Sequence, residues 1–340
     1  MRGTPTDLSG LVGQAAAGNP RAVARLISVV EDGSDRLPEL TRLLLPSAGR
    51  AQVVGITGSP GVGKSTTTSA LVSHYRARGW RVGVLAVDPS SPFSGGALLG
   101  DRIRMQEHAT DPGVFIRSMA SRGHLGGLTS ATPAAVRVLE AAGCDIVLIE
   151  TVGVGQSEIE VVRVADVVLV LLAPGMGDGV QAAKAGILEI GDVFVVNKAD
   201  RDGAGATSRE LRHMISLAPR EPGQWEPPVI QTVASTGQGI SDVAEAIDAH
   251  REWAESHGAL RLRRVARARE EIDAIAVASL RTRLGHHLAD SRLARLSEEV
   301  VDGRTDPYSA ADELLAELRD SGPGDRAGSG PAVSISLEGV

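Results

Sequence analysis

Gly58-Ser59-Pro60-Gly61-Val62-Gly63-Lys64-Ser65 sets a glycine, four residues, then Gly-Lys-Ser, directly after the apolar run Val53 to Thr57 and at the start of a helical stretch. That spacing suits phosphate binding. Glycines let backbone N–H groups curl around an anion, and the N-terminus of the following helix adds its dipole. Lys64 would reach the β and γ phosphates, while Ser65, followed by Thr66, would offer its hydroxyl to Mg²⁺. An ordinary glycine turn is the plain alternative. Lysine usage sharpens the reading: only three of the 35 Lys and Arg residues are lysines, Lys64, Lys184 and Lys198. A chain that otherwise uses arginine keeps lysine where a compact ammonium on a flexible stem is wanted.

Asn197-Lys198-Ala199-Asp200 follows the apolar run Val193 to Val196. A carboxylate at Asp200 can accept both the N1–H and the exocyclic amino hydrogens of guanine, and adenine offers neither in that geometry. An unpaired acceptor there costs ~1 to 3 kcal/mol, enough to discriminate against ATP. Ala234-Ser235-Thr236-Gly237, after Val229 to Val233, stands where a backbone N–H could meet the guanine oxygen. Alone the four-residue pattern is weak. In register with the phosphate loop it specifies a guanine nucleotide, GTP or GDP.

Asp145 to Glu150 is an apolar run ending in an acid, followed by Thr151-Val152-Gly153. This is the position of an Asp-x-x-Gly switch with glutamate in place of aspartate. Glu150 could hold magnesium through water, and the Gly153 N–H could sense the γ phosphate. Asp88 ends Val82 to Val87, and Asp101 lies beyond the glycine-containing stretch Ser94 to Gly100. Either could join the magnesium shell or orient the attacking water, and a helix cap or solvated turn is the alternative for each. Val154 follows Gly153 where a water-orienting glutamine would stand, and a valine side chain cannot polarise water. Slow intrinsic hydrolysis and acceleration by a partner are the consequence. Three glycines in Pro174 to Gly179 suggest a loop that can rearrange, with Lys184 on the segment leaving it, as a switch residue or as a solvated surface lysine.

These residues need a scaffold. Short β-rich runs (Val53 to Thr57, Val82 to Val87, Val114 to Ile116, Ile146 to Ile149, Val167 to Leu172, Val193 to Val196, Val229 to Val233) alternate with helical segments. Near-continuous apolar strands of this kind belong to a parallel sheet covered on both faces. The expected fold is α/β: a P-loop GTPase with a doubly wound, mostly parallel sheet and helical extensions at both ends. The expected divisions are a helical segment over 1–48, interrupted by Gly18-Asn19-Pro20 and by Gly33 to Pro38, the nucleotide domain over 49–257, a helical segment over 258–320, and a disordered Gly-, Ser- and Pro-rich tail over 321–340. Ile272, Ile275, Ala276, Ser279 and Leu280 make a spare apolar stripe at helical spacing. A formal charge of -7 without long basic runs disfavours nucleic acid as a partner. The longest apolar stretch, Val167 to Ala173, is too short for a membrane span. One cysteine, Cys144, and no apolar leader fit a cytoplasmic protein.

With these features in place the sequence resembles the MeaB/ArgK/MMAA family, GTPases that act as chaperones of the cobalamin-dependent enzyme methylmalonyl-CoA mutase. The resemblance runs from about Leu11 to Leu284. Its specific carriers are Val87-Asp88-Pro-Ser-Ser91, Gly100-Asp101-Arg-Ile-Arg-Met105, Ser121-Arg122-Gly123 with Leu125-Gly126-Gly127, and Glu150-Thr-Val-Gly-Val-Gly-Gln-Ser157. It implies a homodimer built through helical extensions, GTP and Mg²⁺ binding, and a nucleotide-responsive loop at Gly175 to Lys184 in which Gln181 and Lys184 relay the nucleotide state to the mutase. Pro92-Phe93-Ser94 departs from the family's polar residues in the first switch. Two other readings compete. A nickel-enzyme maturation GTPase needs soft or imidazole ligands, but Cys144 stands alone and adjacent His286 and His287 point about 100° apart on a helix. A small-molecule kinase has no need of a guanine-reading Asp200, and an interaction scaffold with a decayed site would not keep Lys64, Ser65, Glu150 and Asp200 together.

Overall fold

Consecutive Val, Ile and Leu residues make strands here because both faces of each strand are covered. The computed structural model describes residues 7–89, 105–121, 131–151, 163–175, 188–287 and 290–320. The elements in chain order are α1 (Leu8–Ala16), α2 (Pro20–Glu31), α3 (Leu37–Leu44), β1 (Gln52–Thr57), α4 (Lys64–Ala77), β2 (Val82–Pro89), β3 (Val114–Ser121), α5 (Ala131–Ala141), β4 (Ile146–Thr151), β5 (Val167–Leu172), β6 (Val193–Asn197), α6 (Ala204–Leu217), β7 (Val229–Thr232), α7 (Ile240–Ser256), α8 (Ala259–His287), α9 (Asp290–Val301) and α10 (Pro307–Asp320). Single helical turns at Leu45–Ser47, Gln106–His108 and Leu188–Ile190 connect some of them.

The seven strands form one sheet in the order β3-β2-β4-β1-β5-β6-β7, and every pairing is parallel. All seven apolar runs are strands, as the pattern predicts. Side chains alternate across the sheet with period two. Val54 and Ile56 face α4 and α7, packing with Leu71, Val72, Val243 and Ile247, whereas Val53 faces the opposite layer with Val147 and Ile149. In β5, Val167, Leu169 and Leu171 join the first layer, and Val168, Val170 and Leu172 pack with Leu211 and Ile215 of α6.

The N-terminal helices share the sheet's core. Leu11, Val23, Leu26, Ile27, Leu40 and Leu44 are buried in the same cluster as Val53 and Val147. Asp7 caps α1 through the Gly10 N–H (3.0 Å), and Asn19 caps α2 through the N–H groups of Arg21 and Ala22, with Pro20 at the first helical position. Hence the breaks fall where Gly18-Asn19-Pro20 and Gly33 to Pro38 foretell them.

By internal contacts the chain divides into two units, 1–272 and 273–340. The second contains the end of α8 and the pair α9 and α10. In it Leu296 and Ala310 are buried, Arg295 bridges Glu299 (2.7 Å) and Glu313 (3.1 Å), and Asp306 caps α10 through the N–H groups of Tyr308 and Ser309. On α8 the stripe residues Ile272, Ile275 and Leu280 are exposed, as are Leu262 and Val265. Among the described residues no helix is long and apolar enough to cross a membrane. The tail at 321–340 lies outside the described residues.

Candidate functional site

The C-terminal ends of β1, β4, β6 and β7 converge on one edge of the sheet, where ligands bind in open parallel sheets. The chain leaving β1 turns through Gly58, Gly61 and Gly63 at φ 139°, 79° and 101°. A Cβ at Gly58 would collide with the Leu171 carbonyl of β5, and one at Gly63 with the Asn197 side chain. Only glycine therefore permits this loop to lie so close to its neighbours. Lys64, the first residue of α4, is buried, and its Nζ donates to the carbonyls of Gly58 (2.6 Å) and Ser59 (3.2 Å). The ammonium is thus bent back over the loop whose backbone forms the cradle.

Ser65 and Glu150 come together at the same edge. Register pairs Ile56 of β1 with Glu150 of β4, and the Ser65 hydroxyl donates to Glu150 Oε1 at 2.5 Å, both residues being buried. A hydroxyl and a carboxylate held in contact are hard oxygen donors of the kind Mg²⁺ takes when nucleotide phosphates complete its shell. The donor set fits that ion.

Asn197 ends β6 and ties three segments together. Its Nδ2 donates to the Val62 carbonyl of the phosphate loop (2.8 Å), and its Oδ1 accepts from the Thr232 hydroxyl (3.1 Å) and the Ala234 N–H (3.0 Å). Lys198 has φ 58°, the only positive value at a non-glycine residue among those described, and its Nζ donates to Gly61 O at 2.6 Å. The left-handed turn carries the chain out to Asp200, which is exposed and whose carboxylate accepts no hydrogen bond among the described residues. In the facing turn, the Ala234 N–H is committed to Asn197 and the Thr236 N–H to Val233 O (3.0 Å). Ser235 and Thr236 are exposed, Thr66 also, and Pro60 forms the exposed tip of the phosphate loop.

The other expected site residues are only partly in view. The backbone of Asp88 pairs with Ala120 near the C-terminal end of β2, next to β4. Asp101, Gly153 and Lys184 lie outside the described residues, as do Val154 and Gln181. Cys144, weighed above as a metal ligand, is buried at the head of β4, and burial pushes its thiol up to about 12, which keeps it a protonated, poor ligand. Thr232 was not singled out from sequence. A threonine at a strand end carries no spacing signal, and only the fold shows its hydroxyl fixing Asn197.

A family model described as methylmalonyl Co-A mutase-associated GTPase MeaB matches residues 23–288. This chain belongs to the MeaB family. It is a GTPase of the phosphate-loop class, as the loop, the Asn-Lys-x-Asp turn and the sheet order already indicate. Among its relatives, a Pyrococcus abyssi protein provisionally named a GTPase is 48% identical over 311 residues, 91% of this chain and 96% of that one. The GTPase ArgK of Escherichia coli is 39% identical over 68% of this chain and 72% of its own length. The mouse mitochondrial methylmalonic aciduria type A homolog is 34% identical over 89% of this chain and 77% of its own. A crystal structure named as an LAO/AO transport system kinase superposes on this MeaB-family fold with a TM-score of 0.67 and 26% identity, over 93% of this chain and 99% of the other.

Proposed function

We propose that this GTPase is a slow, partner-activated nucleotide switch that gates assembly, cofactor loading and protection of a cobalamin-dependent mutase, methylmalonyl-CoA mutase, and that it works as a cytoplasmic homodimer. The observation that carries the proposal is the extent of the family match. It covers 23–288, so a mutase-associated description extends over most of α2, α3 and α8 as well as the nucleotide domain. The exposed apolar residues of α8, Leu262, Val265, Ile272, Ile275 and Leu280, suit the dimer contact.

In the proposed reaction GTP lies along the strand ends, with its phosphates in the cradle of Gly58 to Ser65 and Lys64 Nζ turning from the loop carbonyls to the β and γ oxygens. Ser65 and Glu150 would hold Mg²⁺, which when bound neutralises charge on the β and γ phosphates. Asp200 accepts the N1–H and amino hydrogens of guanine. With the N–H groups of Ala234 and Thr236 committed elsewhere, the Ser235 N–H is the donor for the guanine oxygen. Asn197 and Lys198 do not touch the base in this reading. They fix the base turn to Val62 and Gly61, so that base recognition and phosphate binding share one rigid frame. Asp88, Asp101, Gly153 and Lys184 are assigned to the magnesium shell, the attacking water and the switches. With Val154 beside Gly153, a partner has to complete the water-orienting arrangement.

The test is GTP and ATP turnover by the purified full chain, alone and with methylmalonyl-CoA mutase from the same organism. Slow GTP turnover that the mutase raises at least about tenfold, with ATP inert, is the expected result. Turnover indifferent to the mutase would overturn the chaperone assignment, and a monomer in light scattering would overturn the dimer.

A further inference from the structure

Three neighbouring strands, β1, β5 and β6, begin at one cluster of charges and end at the nucleotide site. Asp166 immediately precedes β5 and is buried. It accepts the Val53 N–H of β1 at 3.1 Å, two bonds from Arg264 (Nη2 2.8 Å, Nε 3.2 Å) and one from Arg267 at 2.8 Å. Asp192 immediately precedes β6. It accepts the Val168 N–H of β5 at 2.8 Å and a two-pronged contact from Arg263 at 2.7 and 2.9 Å, with His250 Nε2 at 3.3 Å. Arg264 reaches further, to the carbonyls of Gly49 (2.8 Å) and Ala51 (3.3 Å) at the entry to β1. Each carboxylate therefore stitches one strand to the next, and α8 grips both.

The inward face of α8 is unusual for a helix on a sheet. Between 259 and 272 the residues shielded along one side are Ala259, Leu260, Arg263, Arg264, Arg267 and Glu271, whereas Leu262, Val265 and Ile272 face outward. Glu271 pairs with Arg137 of α5 at 2.7 and 2.5 Å. An apolar seam tolerates sliding. Guanidinium forks on carboxylates do not, because each holds its partner in one planar geometry. The position of α8 is therefore bound to the register of β1, β5 and β6. Those strands run straight to Gly58, to the Leu171 carbonyl that packs against Gly58, and to Asn197, which holds Val62.

We propose that Asp166 and Asp192, gripped by Arg263, Arg264 and Arg267, are positioning residues that transmit the nucleotide state from the C-terminal ends of β1, β5 and β6 to α8. The device needs only guanine-nucleotide binding at the phosphate loop and does not depend on the mutase reading.

Hydrogen–deuterium exchange on the full chain tests it, comparing GDP with a non-hydrolysable GTP analogue. Amides within 260–272 of the native chain should change their exchange rate by about fivefold or more between the two states, the size of an ordinary coupling between sites. In the double substitution Arg264→Lys, Arg267→Lys, which keeps the charge and removes the forks on Asp166, that difference should fall to less than about half, the Arg263–Asp192 contact remaining, while GDP affinity stays within about twofold of native. Arg263→Lys should reduce it partway through the other carboxylate. A purely structural anchor would lower the melting temperature of these variants and leave the nucleotide response in place. The proposal is overturned if the native chain shows no nucleotide-dependent exchange in 260–272, or if the double variant retains the full response. If the double variant fails to fold, Arg263→Lys decides, and a full response in it overturns the proposal.

Discussion

The Ser65 hydroxyl donates to the Glu150 carboxylate at 2.5 Å across 85 residues of sequence, joining the start of α4 to the end of β4. Ser65 follows Lys64 directly, so one turn of helix brings both the ammonium and the hydroxyl to the phosphate loop, the two groups proposed above for the phosphates and the cation. Register between β1 and β4 then brings the carboxylate to meet them.

Glu150→Gln keeps the shape of that side chain and removes its charge. GTP turnover should fall about 100-fold, and the magnesium concentration needed for half-maximal rate should rise, whereas GDP binding without magnesium should change little. Lys64→Ala should behave differently and weaken nucleotide binding itself by about 100-fold, the loss of charge-assisted bonds to phosphate. Steady-state turnover over a magnesium series separates the two. An unaltered magnesium dependence in Glu150→Gln would remove that residue from the cation site.

Asp200→Asn exchanges an acceptor for a donor at the base turn. Preference should move from GTP towards xanthosine triphosphate, whose oxygen replaces the guanine amino group, by about tenfold or more. Competition binding with GTP, xanthosine triphosphate and ATP measures the shift, and unchanged preference would refute the base-reading role. The neighbouring Asn197 makes a useful contrast. Asn197→Asp loses the donor to Val62 and should weaken all three nucleotides alike.

The contiguous parts of the site are legible in the sequence because each reports a local requirement. Gly58 to Ser65 shows a cradle, and Asn197 to Asp200 shows a turn after a strand. All seven strands are legible for a similar reason, since burial on both faces leaves unbroken apolar runs. β3 is the partial exception: read as Val114 to Ile116, it continues to Ser121 because Arg117, though charged, pairs in register with Leu85 and sends its guanidinium to Glu31 and Ser28 of α2. What the sequence hides is contact between distant positions. Asn197 meets partners 135, 35 and 37 residues away, and Arg264 reaches Asp166 across 98. In one dimension Asp166 is a strand flank and Arg263 to Arg267 an arginine-rich helix, and no periodicity links them.

The strand-end carboxylates predict an acid sensitivity with a definite sign. Burial by itself would raise the Asp192 carboxyl, but the nearby His250 ring, the hydrogen bonds from Arg263 and the Arg263 charge outweigh it and hold the group at about 2. Asp166 is likewise lowered against its burial by Arg264 and Arg267. A folded value below the unfolded ~3.9 means the stabilisation is complete above about pH 4 and is lost as pH falls towards about 2. For Asp192 this amounts to ~2 to 3 kcal/mol. Asp192→Asn should lower stability at pH 7 by ~3 kcal/mol, because Arg263 loses its buried partner, and the gap to the native protein should narrow between pH 4 and 2.5. Urea unfolding at three pH values checks it, and a constant gap would rule out Asp192 as the titrating group.

Lys198 offers a test that separates backbone strain from contact. At φ 58° its backbone is in the left-handed region, which costs a residue with a Cβ ~1 kcal/mol, while its ammonium holds Gly61 at 2.6 Å. Lys198→Ala removes the contact and keeps the strain, whereas Lys198→Gly removes both. The glycine variant should therefore be the more stable of the two by ~0.5 to 1 kcal/mol in urea unfolding, the relief of strain exceeding the extra freedom glycine gives the unfolded chain. Nucleotide affinity should not follow that order. If the ammonium serves to hold the phosphate loop in shape, both variants should bind GDP about tenfold more weakly than the native chain, and by similar factors, because both have lost it. Native affinity in Lys198→Gly would mean that the turn conformation alone suffices, leaving the scarce lysine at this position without a role in the loop.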